Sequence, residues 1–379
     1  MSDIDPKANE PTATAARPLE RGIGLCLSGG GFRAMLFHVG SLWRLNEAGM
    51  LPELSRCASV SGGSITNAVL AKAWPDLAFD SSGVAAKYGD LVVDPLRRFA
   101  GHSVDVWAGV TGLFIPGRIG RRVAVSYDHH LFHAMTLGDL PASGAGPRFT
   151  FCATDMGSGH LWYHERGRLG EYQSGFLDRP KYPVAMAVAA SSAFPPFLAP
   201  ILVDLSAYGP LDAGHPARYR LADGGVYDNL GLQPVEGKYE IVLASDAGAP
   251  FVATAKAPLD WFRQLLHTTE VIDTQVRRLR RAHFVGSLDG ATRGAFWGIG
   301  TDIADYANDS SGLPFDDPMD APATKTKVLA ATPTRLGKLP AVTQERLINW
   351  GYAVCDAALR KHYPPRRATP ARFPYARGV

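Results

Sequence analysis

Cysteine is scarce in this chain: only four of the 379 residues are cysteines, and they stand far apart along the sequence. Without C-x-x-C pairs there is no pattern for a zinc site, and four scattered thiols do not make the framework of a disulfide-stabilised domain. We therefore expect Cys26, Cys57, Cys152 and Cys355 to be buried, reduced thiols, as is usual in a cytosolic protein.

Long apolar segments are missing as well. No stretch approaches the roughly 18–20 uninterrupted apolar residues that a membrane-spanning helix needs, and the start of the chain lacks the apolar core of a secretory signal. Residues 1–21 are rich in Ala, Pro, Thr and charged side chains, and we interpret them as a disordered leader. These absences favour a cytoplasmic protein that is soluble or peripheral at a membrane.

The chain also lacks a large excess of charge of one sign. The formal net charge is +3, from 39 basic and 36 acidic side chains, which gives no field that would attract nucleic acid. Apolar residues are plentiful, at 46% of the chain, against 20% charged residues. That composition is typical of a globular protein with a large core.

The first part of the chain contains the same structural unit twice. Residues 22–27 form a short apolar run, followed by a glycine cluster and by helical spacing of apolar residues over 34–45. Residues 56–60 form a second short strand, followed by a Ser-Gly-Gly-Ser loop and another helical stretch. Repeated strand–loop–helix units predict an α/β fold with a mainly parallel central sheet and helices on both faces. Ligands bind such sheets at the carboxyl ends of the strands, where both glycine loops would lie.

The rest of the chain is less regular. We predict further strands over residues 148–153, 201–205 and 238–244, and helices over residues 183–190, 261–281 and 341–361. We expect a single α/β hydrolase domain over residues 22–290. Residues 291–379 are expected to be an irregular C-terminal extension, with its final helix packed on the domain and a basic tail.

The strongest chemical motif is Ser59-Val60-Ser61-Gly62-Gly63, between a predicted strand and a predicted helix. A nucleophilic serine needs a sharp strand-to-helix turn that exposes its hydroxyl, and small neighbours allow that turn. Ser59 occupies a position that is glycine in the usual G-x-S-x-G pattern. Ser61 is the candidate nucleophile, and a plain helix N-cap is the alternative.

A glycine run, Ser28-Gly29-Gly30-Gly31-Phe32-Arg33, precedes the first predicted helix. Acyl transfer builds negative charge on the carbonyl oxygen, and backbone N–H groups at a helix N-terminus stabilise such charge. The run matches neither G-x-x-x-x-G-K-[ST] nor G-x-G-x-x-G, so a nucleotide phosphate is not the predicted ligand. A simple tight turn is the alternative.

The third motif is Asp223-Gly224-Gly225, far along the chain from Ser61. A serine hydroxyl is a poor nucleophile until a base takes its proton, and a carboxylate aligned with it can do so. Asp223 is the candidate base. On its own, Asp-Gly-Gly is more often a turn.

Together with a proline-containing block over residues 190–200, these three motifs resemble the ordered motifs of the patatin-like phospholipases, as found in bacterial patatin-domain proteins. The resemblance implies a Ser61–Asp223 dyad without a third residue, and hydrolysis of lipid esters without a metal or other cofactor. It implies an oxyanion hole from the backbone of Gly29, Gly30, Gly31 and Phe32, supported by Arg33, Gly63, Gly224 and Gly225. It also implies an acyl-binding wall at Pro195, Pro196 and Phe197.

We therefore predict a lipid acyl hydrolase of the phospholipase A, lysophospholipase or esterase type, acting on lipid at a membrane surface. Two alternatives stay open. One is a catalytically silent relative that binds lipid or an acyl group; the other is a Ser-His-Asp esterase or thioesterase. The second would use Asp223 or Asp246 with His267 or His283.

Two segments raise the question of membrane contact. Residues 104–115 are apolar and are followed by basic residues up to Arg122, so they form either an interfacial flap or an ordinary buried element. Residues 271–281 mix four arginines with apolar residues. Their arginines could bind phosphate head groups, and a solvated helix face is the simpler interpretation.

Overall fold

The structure is a computed structural model that describes residues 18–104, 118–195, 198–209, 216–251, 260–288, 292–307, 318–363 and 372–379, with the backbone alone for residues 118 and 119. Several predicted features lie outside the described residues: residues 1–17 of the leader, residues 105–117 of the flap, Pro196 and Phe197, and most of the basic tail.

The described residues form an α/β structure. The strands are β1 (Glu20–Leu27), β2 (Leu54–Val60), β3 (Arg148–Asp155), β4 (Leu161–Glu165), β5 (Arg168–Glu171), β6 (Gly175–Asp178), β7 (Ile201–Asp204), β8 (Arg218–Asp223), β9 (Tyr239–Asp246) and β10 (Arg293–Gly298). The α-helices are α1 (Gly31–Glu47), α2 (Gly62–Ala73), α3 (Asp94–Ala100), α4 (Arg118–Tyr127), α5 (Val184–Ser191), α6 (Gly225–Asp228), α7 (Trp261–Ser287), α8 (Ile303–Ala307), α9 (Ala323–Ala330) and α10 (Ala341–His362).

The strands make one sheet in the order β10-β9-β1-β2-β3-β4-β5-β6, and β8 pairs with both β3 and β7. The five strands from β10 to β3 run parallel, which confirms the predicted α/β fold with a mostly parallel central sheet. From β3 onward the pairings are antiparallel.

Alternate residues of the central strands belong to two different apolar clusters, because successive side chains of a strand point to opposite faces. Leu25 and Leu27 of β1 pack in the large cluster, with residues of α1, α2 and α10. Cys26 packs in a smaller cluster on the other face, with Leu232 and with Phe284 of α7. Helices therefore flank the sheet on both faces, as predicted.

Two expectations about the ends of the domain differ from the structure. β1 begins at Glu20, inside the predicted leader, because the Glu20 N–H donates to the Lys238 carbonyl at 2.7 Å. β10 lies beyond residue 290 and pairs in parallel with β9. The C-terminal segment thus supplies a strand of the central sheet in addition to its final helix.

Helix α10 packs closely on α1. Asp356 of α10 accepts a hydrogen bond from Arg44 of α1 at 2.8 Å, and both side chains are buried. A Cβ atom added at Gly40 would lie 1.9 Å from the Ile348 carbonyl oxygen, and one at Gly351 would lie 1.9 Å from that of Phe37. These two glycines allow the helix backbones to approach each other.

The strand register places the loops that follow β1, β2 and β9 at one edge of the sheet. Leu27 of β1 is paired with Ser59 of β2 on one side and with Ser245 of β9 on the other. The glycine run after β1 and the serine motif after β2 are therefore neighbours. This is the carboxyl edge, where ligands bind in sheets of this type.

Candidate active site

Ser61 occupies the sharp turn that the sequence predicts. It stands between the end of β2 and the start of α2, with φ 52° and ψ −123°. A non-glycine residue at positive φ is strained by roughly 1–3 kcal/mol, and such strain persists only where the surroundings hold it. Here the Ser61 N–H is held by Ser191, whose carbonyl oxygen lies at 3.1 Å and whose hydroxyl oxygen at 2.9 Å.

The glycines after Ser61 let the glycine run pack against the turn. A Cβ atom at Gly62 would lie 2.1 Å from the carbonyl oxygen of Gly31, and one at Gly63 would lie 2.5 Å from that of Leu27. Both contacts are to backbone, which cannot move aside cheaply. Side chains at these two positions would therefore separate the serine turn from the glycine run.

Ser59, which departs from the usual glycine, is part of a buried hydrogen-bond network. Its hydroxyl donates to the Thr150 carbonyl at 3.1 Å and accepts from the hydroxyl of Ser64 at 3.0 Å and the amide of Asn67 at 2.9 Å. The added side chain thus ties β2 to β3 and to the first turn of α2. The serine turn is compatible with this substitution.

Asp223 reaches Ser61 through the sheet register. Val60 pairs with Cys152 of β3, and the next residue of β3, Ala153, pairs with Asp223 at the end of β8. The Ser61 side chain lies close enough to the Asp223 carboxylate to lower its pKa. The Gly225 N–H donates to the same carboxylate at 2.7 Å, which explains why the turn after Asp223 contains glycines.

Burial dominates the electrostatics of Asp223, whose side chain is almost inaccessible to solvent. Burial raises the pKa of Asp223 to about 7. The Gly225 N–H and the Ser61 side chain lower this pKa, and the nearby Asp273 carboxylate raises it. A carboxylate with a pKa near neutrality is a better proton acceptor than an exposed one. The structure thus places Ser61 beside a buried carboxyl group whose pKa is near neutrality.

The glycine run lies beside Ser61. Its four N–H groups, those of Gly29, Gly30, Gly31 and Phe32, differ in whether they donate a hydrogen bond within the protein. The Gly29 N–H donates to the Asn229 carbonyl at 3.1 Å, and the Phe32 N–H donates to the Arg335 carbonyl at 2.9 Å. No described residue accepts a hydrogen bond from the N–H of Gly30 or Gly31. The predicted donor set is corrected accordingly, because two of its four members are already occupied.

Arg33 and His38 of α1 hold the ends of this run. The Arg33 guanidinium donates to the Ala247 carbonyl at 3.0 Å and to the Thr332 carbonyl at 2.5 Å. The His38 Nε2 lies 2.9 Å from the Ser28 carbonyl oxygen, so this nitrogen carries the proton. Burial lowers the pKa of His38 to about 4, which keeps its ring neutral at neutral pH.

This geometry coincides with a family match. A sequence model described as patatin-like phospholipase matches residues 25–235, more than half of the chain, and the match includes the glycine run, Ser61 and Asp223. The chain belongs to the patatin-like phospholipase family. No curated protein sequence matches it.

Solved structures confirm the patatin-like fold. Human GIVD cytosolic phospholipase A2 aligns with a TM-score of 0.52 and 12% identity, over 92% of this chain and 63% of the human chain. The same human enzyme in complex with methyl gamma-linolenyl fluorophosphonate aligns with a TM-score of 0.50 and 15% identity, over 91% of this chain and 59% of that one. The present chain thus spans about three fifths of the human protein.

The proline-containing block of this patatin-like protein begins at the site. Ser191 of this block holds the serine turn. The carbonyl oxygen of Ala193 accepts a hydrogen bond from the Asp223 N–H at 2.9 Å. Pro195 is half-buried, and Pro196 and Phe197 lie outside the described residues. The acyl-binding wall stays a prediction.

The histidines of the alternative triad have other neighbours. His267 and His283 lie on α7, the first 3.8 Å from Glu270 and the second 3.7 Å from Glu236. Among the described residues no group of three or more His, Cys, Asp or Glu side chains could hold a metal ion. Nor does any described helix have the length and apolarity needed to cross a membrane.

Sequence reasoning missed three residues that hold the site: Ser191, Asn229 and Arg335. Each contributes a carbonyl oxygen, and every residue type has one, so the identities of Asn229 and Arg335 carry no chemical signal for these contacts. Ser191 also uses its hydroxyl, which lies 2.9 Å from the Ser61 nitrogen. The N–H of the residue after a nucleophilic serine is a usual oxyanion donor in such turns. That general geometry could have added Gly62 to the candidate donors.

Proposed function

We propose that this protein is a lipid acyl hydrolase of the phospholipase A, lysophospholipase or esterase type. In this proposal Ser61 is the nucleophile and Asp223 is the base. The observation that carries it is the position of the strained Ser61 beside the buried carboxylate of Asp223. Family membership supports an ester of a lipid as the substrate.

The reaction has two acyl-transfer steps. In the first, Asp223 accepts the Ser61 proton while Oγ attacks the ester carbonyl carbon, and the resulting oxyanion is held by the N–H groups of Gly30, Gly31 and Gly62. The intermediate then collapses to an acyl-serine and the alcohol part leaves with the proton from Asp223. In the second step water attacks the acyl-serine, Asp223 takes the water proton, and the fatty acid is released as Ser61 regains its hydroxyl proton.

Hydrolysis of a soluble medium-chain aryl ester and of a phospholipid tests this proposal. We expect S61A and D223N to lose roughly 10²–10⁴-fold in kcat/KM, the usual contribution of a positioned proton acceptor and at least that of a nucleophile. S55A is the matched control, because Ser55 lies on the same strand and its hydroxyl donates a hydrogen bond to the Arg21 carbonyl at 3.3 Å, away from Asp223.

Circular dichroism establishes whether each variant is folded. A folded D223N that keeps most of its rate would contradict the dyad, and H267A and H283A would then identify a histidine base. A folded wild-type protein with no activity on either ester would instead favour the silent lipid-binding relative.

A further inference from the structure

Helix α7 has apolar side chains on the side that faces solvent. Of its 27 residues only Thr274 and Phe284 are buried. Trp261, Leu265, Ile272 and Leu279 are between 55% and 76% exposed, and Val276 is 41% exposed. The helix face predicted over residues 271–281 is exposed to solvent as expected, and apolar side chains accompany its arginines.

These exposed residues form one stripe, which we call the α7 stripe: Trp261, Leu265, Ile272, Val276 and Leu279. Spacings of three, four and seven residues keep side chains on one face of a helix. Four of the five residues are each followed in the sequence by a half-buried residue. Consecutive residues lie about 100° apart around a helix axis, so the half-buried residues belong to a different face. The stripe is thus separate from the face that packs on the body, and no described residue covers it.

The other face attaches α7 to the surroundings of the dyad. The Arg280 guanidinium lies 5.3 Å over the ring of Tyr227, in the short helix that begins two residues after Asp223. Arg277 donates to the Ala249 carbonyl, close to Ala247, which Arg33 holds. The stripe is therefore carried by a helix that borders the candidate active site.

The charges and shape beside the stripe favour a lipid surface over a second protein. The helix contains five arginines and two acidic residues. Arg278 is exposed and Arg280 is half-buried, and the helical spacing puts them on opposite sides of the stripe. A cavity of about 470 Å³ runs along the same helix, lined by Phe251, Val271, Leu279 and Arg278 among others. An apolar stripe, a tryptophan at its end and flanking arginines are the features of a helix that lies in an anionic lipid interface.

We propose that the α7 stripe is the surface on which this protein docks to an anionic lipid bilayer, next to its active site. This inference rests on the proposed function, since a lipid ester in a bilayer has to reach Ser61. Docking buries the stripe among the acyl chains and brings the arginines to the phosphate groups.

The test is co-sedimentation with phosphatidylcholine vesicles, prepared with and without phosphatidylglycerol. We expect the wild type to bind the anionic vesicles, and the triple variant L265Q/I272Q/L279Q to bind them at least tenfold more weakly. The matched control is M156Q/L202Q/V328Q, which removes three exposed apolar side chains elsewhere and should bind as the wild type does. The variant R278Q should weaken the preference for phosphatidylglycerol.

The two proposals fail in different ways. Hydrolysis of the soluble aryl ester should be unchanged in L265Q/I272Q/L279Q, and S61A should bind vesicles as well as the wild type. Equal vesicle binding by wild type and stripe variant would overturn the docking surface whatever the esterase result. A wild-type dimer in light scattering that becomes monomeric in the stripe variant, without vesicle binding, would overturn it in favour of a contact between two copies.

Discussion

Asp223 is a single residue at which function and stability oppose each other. Because burial raises its pKa to about 7 from 3.8, the folded state holds the proton more tightly than the unfolded state does. Its contribution to stability is therefore fully present below pH 3.8 and is lost as the pH rises to about 7. At pH 8 the folded protein carries an ionised carboxylate in a buried position.

Replacing Asp223 by Asn should therefore stabilise the protein above neutral pH. The amide keeps the size of the side chain and its acceptor oxygen, but it has no charge to desolvate. We expect D223N to exceed the wild type in free energy of unfolding by up to about 4 kcal/mol at pH 8, with the difference shrinking toward pH 4. Urea unfolding at several pH values measures this difference.

Asp204 provides the control for that experiment. It is a partly exposed carboxyl group whose pKa is lowered, first by the Ser206 hydroxyl and also by Arg218. Its stabilising contribution is thus present above its unfolded pKa, so D204N should gain nothing at pH 8. A D223N variant that is less stable than the wild type at pH 8 would mean that the carboxylate is not penalised by burial.

At this scale the sequence predicted the residues whose chemistry is specific. Ser61 and Asp223 could be proposed as nucleophile and base because these roles need particular side chains inside short, small-residue turns, and the roles stay predictions. The sequence could not show which N–H groups of the glycine run already donate hydrogen bonds. The acceptors of Gly29 and Phe32 are the carbonyl oxygens of Asn229 and Arg335, which lie far away in the sequence. Only the folded chain brings those atoms to the glycine run.

Among the elements, the pair α1 and α10 determines how the glycine run is placed, because α1 begins in that run. Their backbones meet at Gly40 and Gly351. We expect G351A to lower the free energy of unfolding by about 1–3 kcal/mol, since its methyl group would meet the Phe37 carbonyl. Urea unfolding of the variant measures the effect.

Gly286 in α7 offers the matched control. It is also a helical glycine, but an added Cβ atom there would have no neighbour within 4 Å. G286A should therefore raise the stability by about 0.5–1 kcal/mol, because alanine loses less backbone entropy in a helix. Equal effects of the two substitutions would mean that the α1–α10 contact is looser than described.

The longer elements and the short strand β7 were predictable from the sequence, whereas several other short strands were not. The predicted helix over 341–361 corresponds to α10, and the predicted strands over 148–153 and 238–244 correspond to β3 and β9. Strands β5 and β6 have only four residues each, too few for periodicity to reveal them. β10 follows a segment rich in glycine and aspartate, and its pairing with β9 decides its conformation.

In the whole molecule the C-terminal part is integral to the fold. Arg335 and Thr332 contact the glycine run, β10 extends the central sheet, and α10 covers α1. The sequence contained no motif that linked these residues to the site. The division expected at residue 290 thus separates segments that the sheet joins.

The most direct test of the dyad is the rate at which an alkyl fluorophosphonate labels the intact protein, followed by mass spectrometry as a function of pH. Phosphorus accepts the activated serine oxygen and fluoride leaves, so the reagent reports the nucleophile itself. We predict that the label resides on Ser61 alone, that its rate rises with pH to half its maximum near pH 7, and that D223N reacts far more slowly. A label on another residue, or a rate that is unaffected by D223N, would contradict the account.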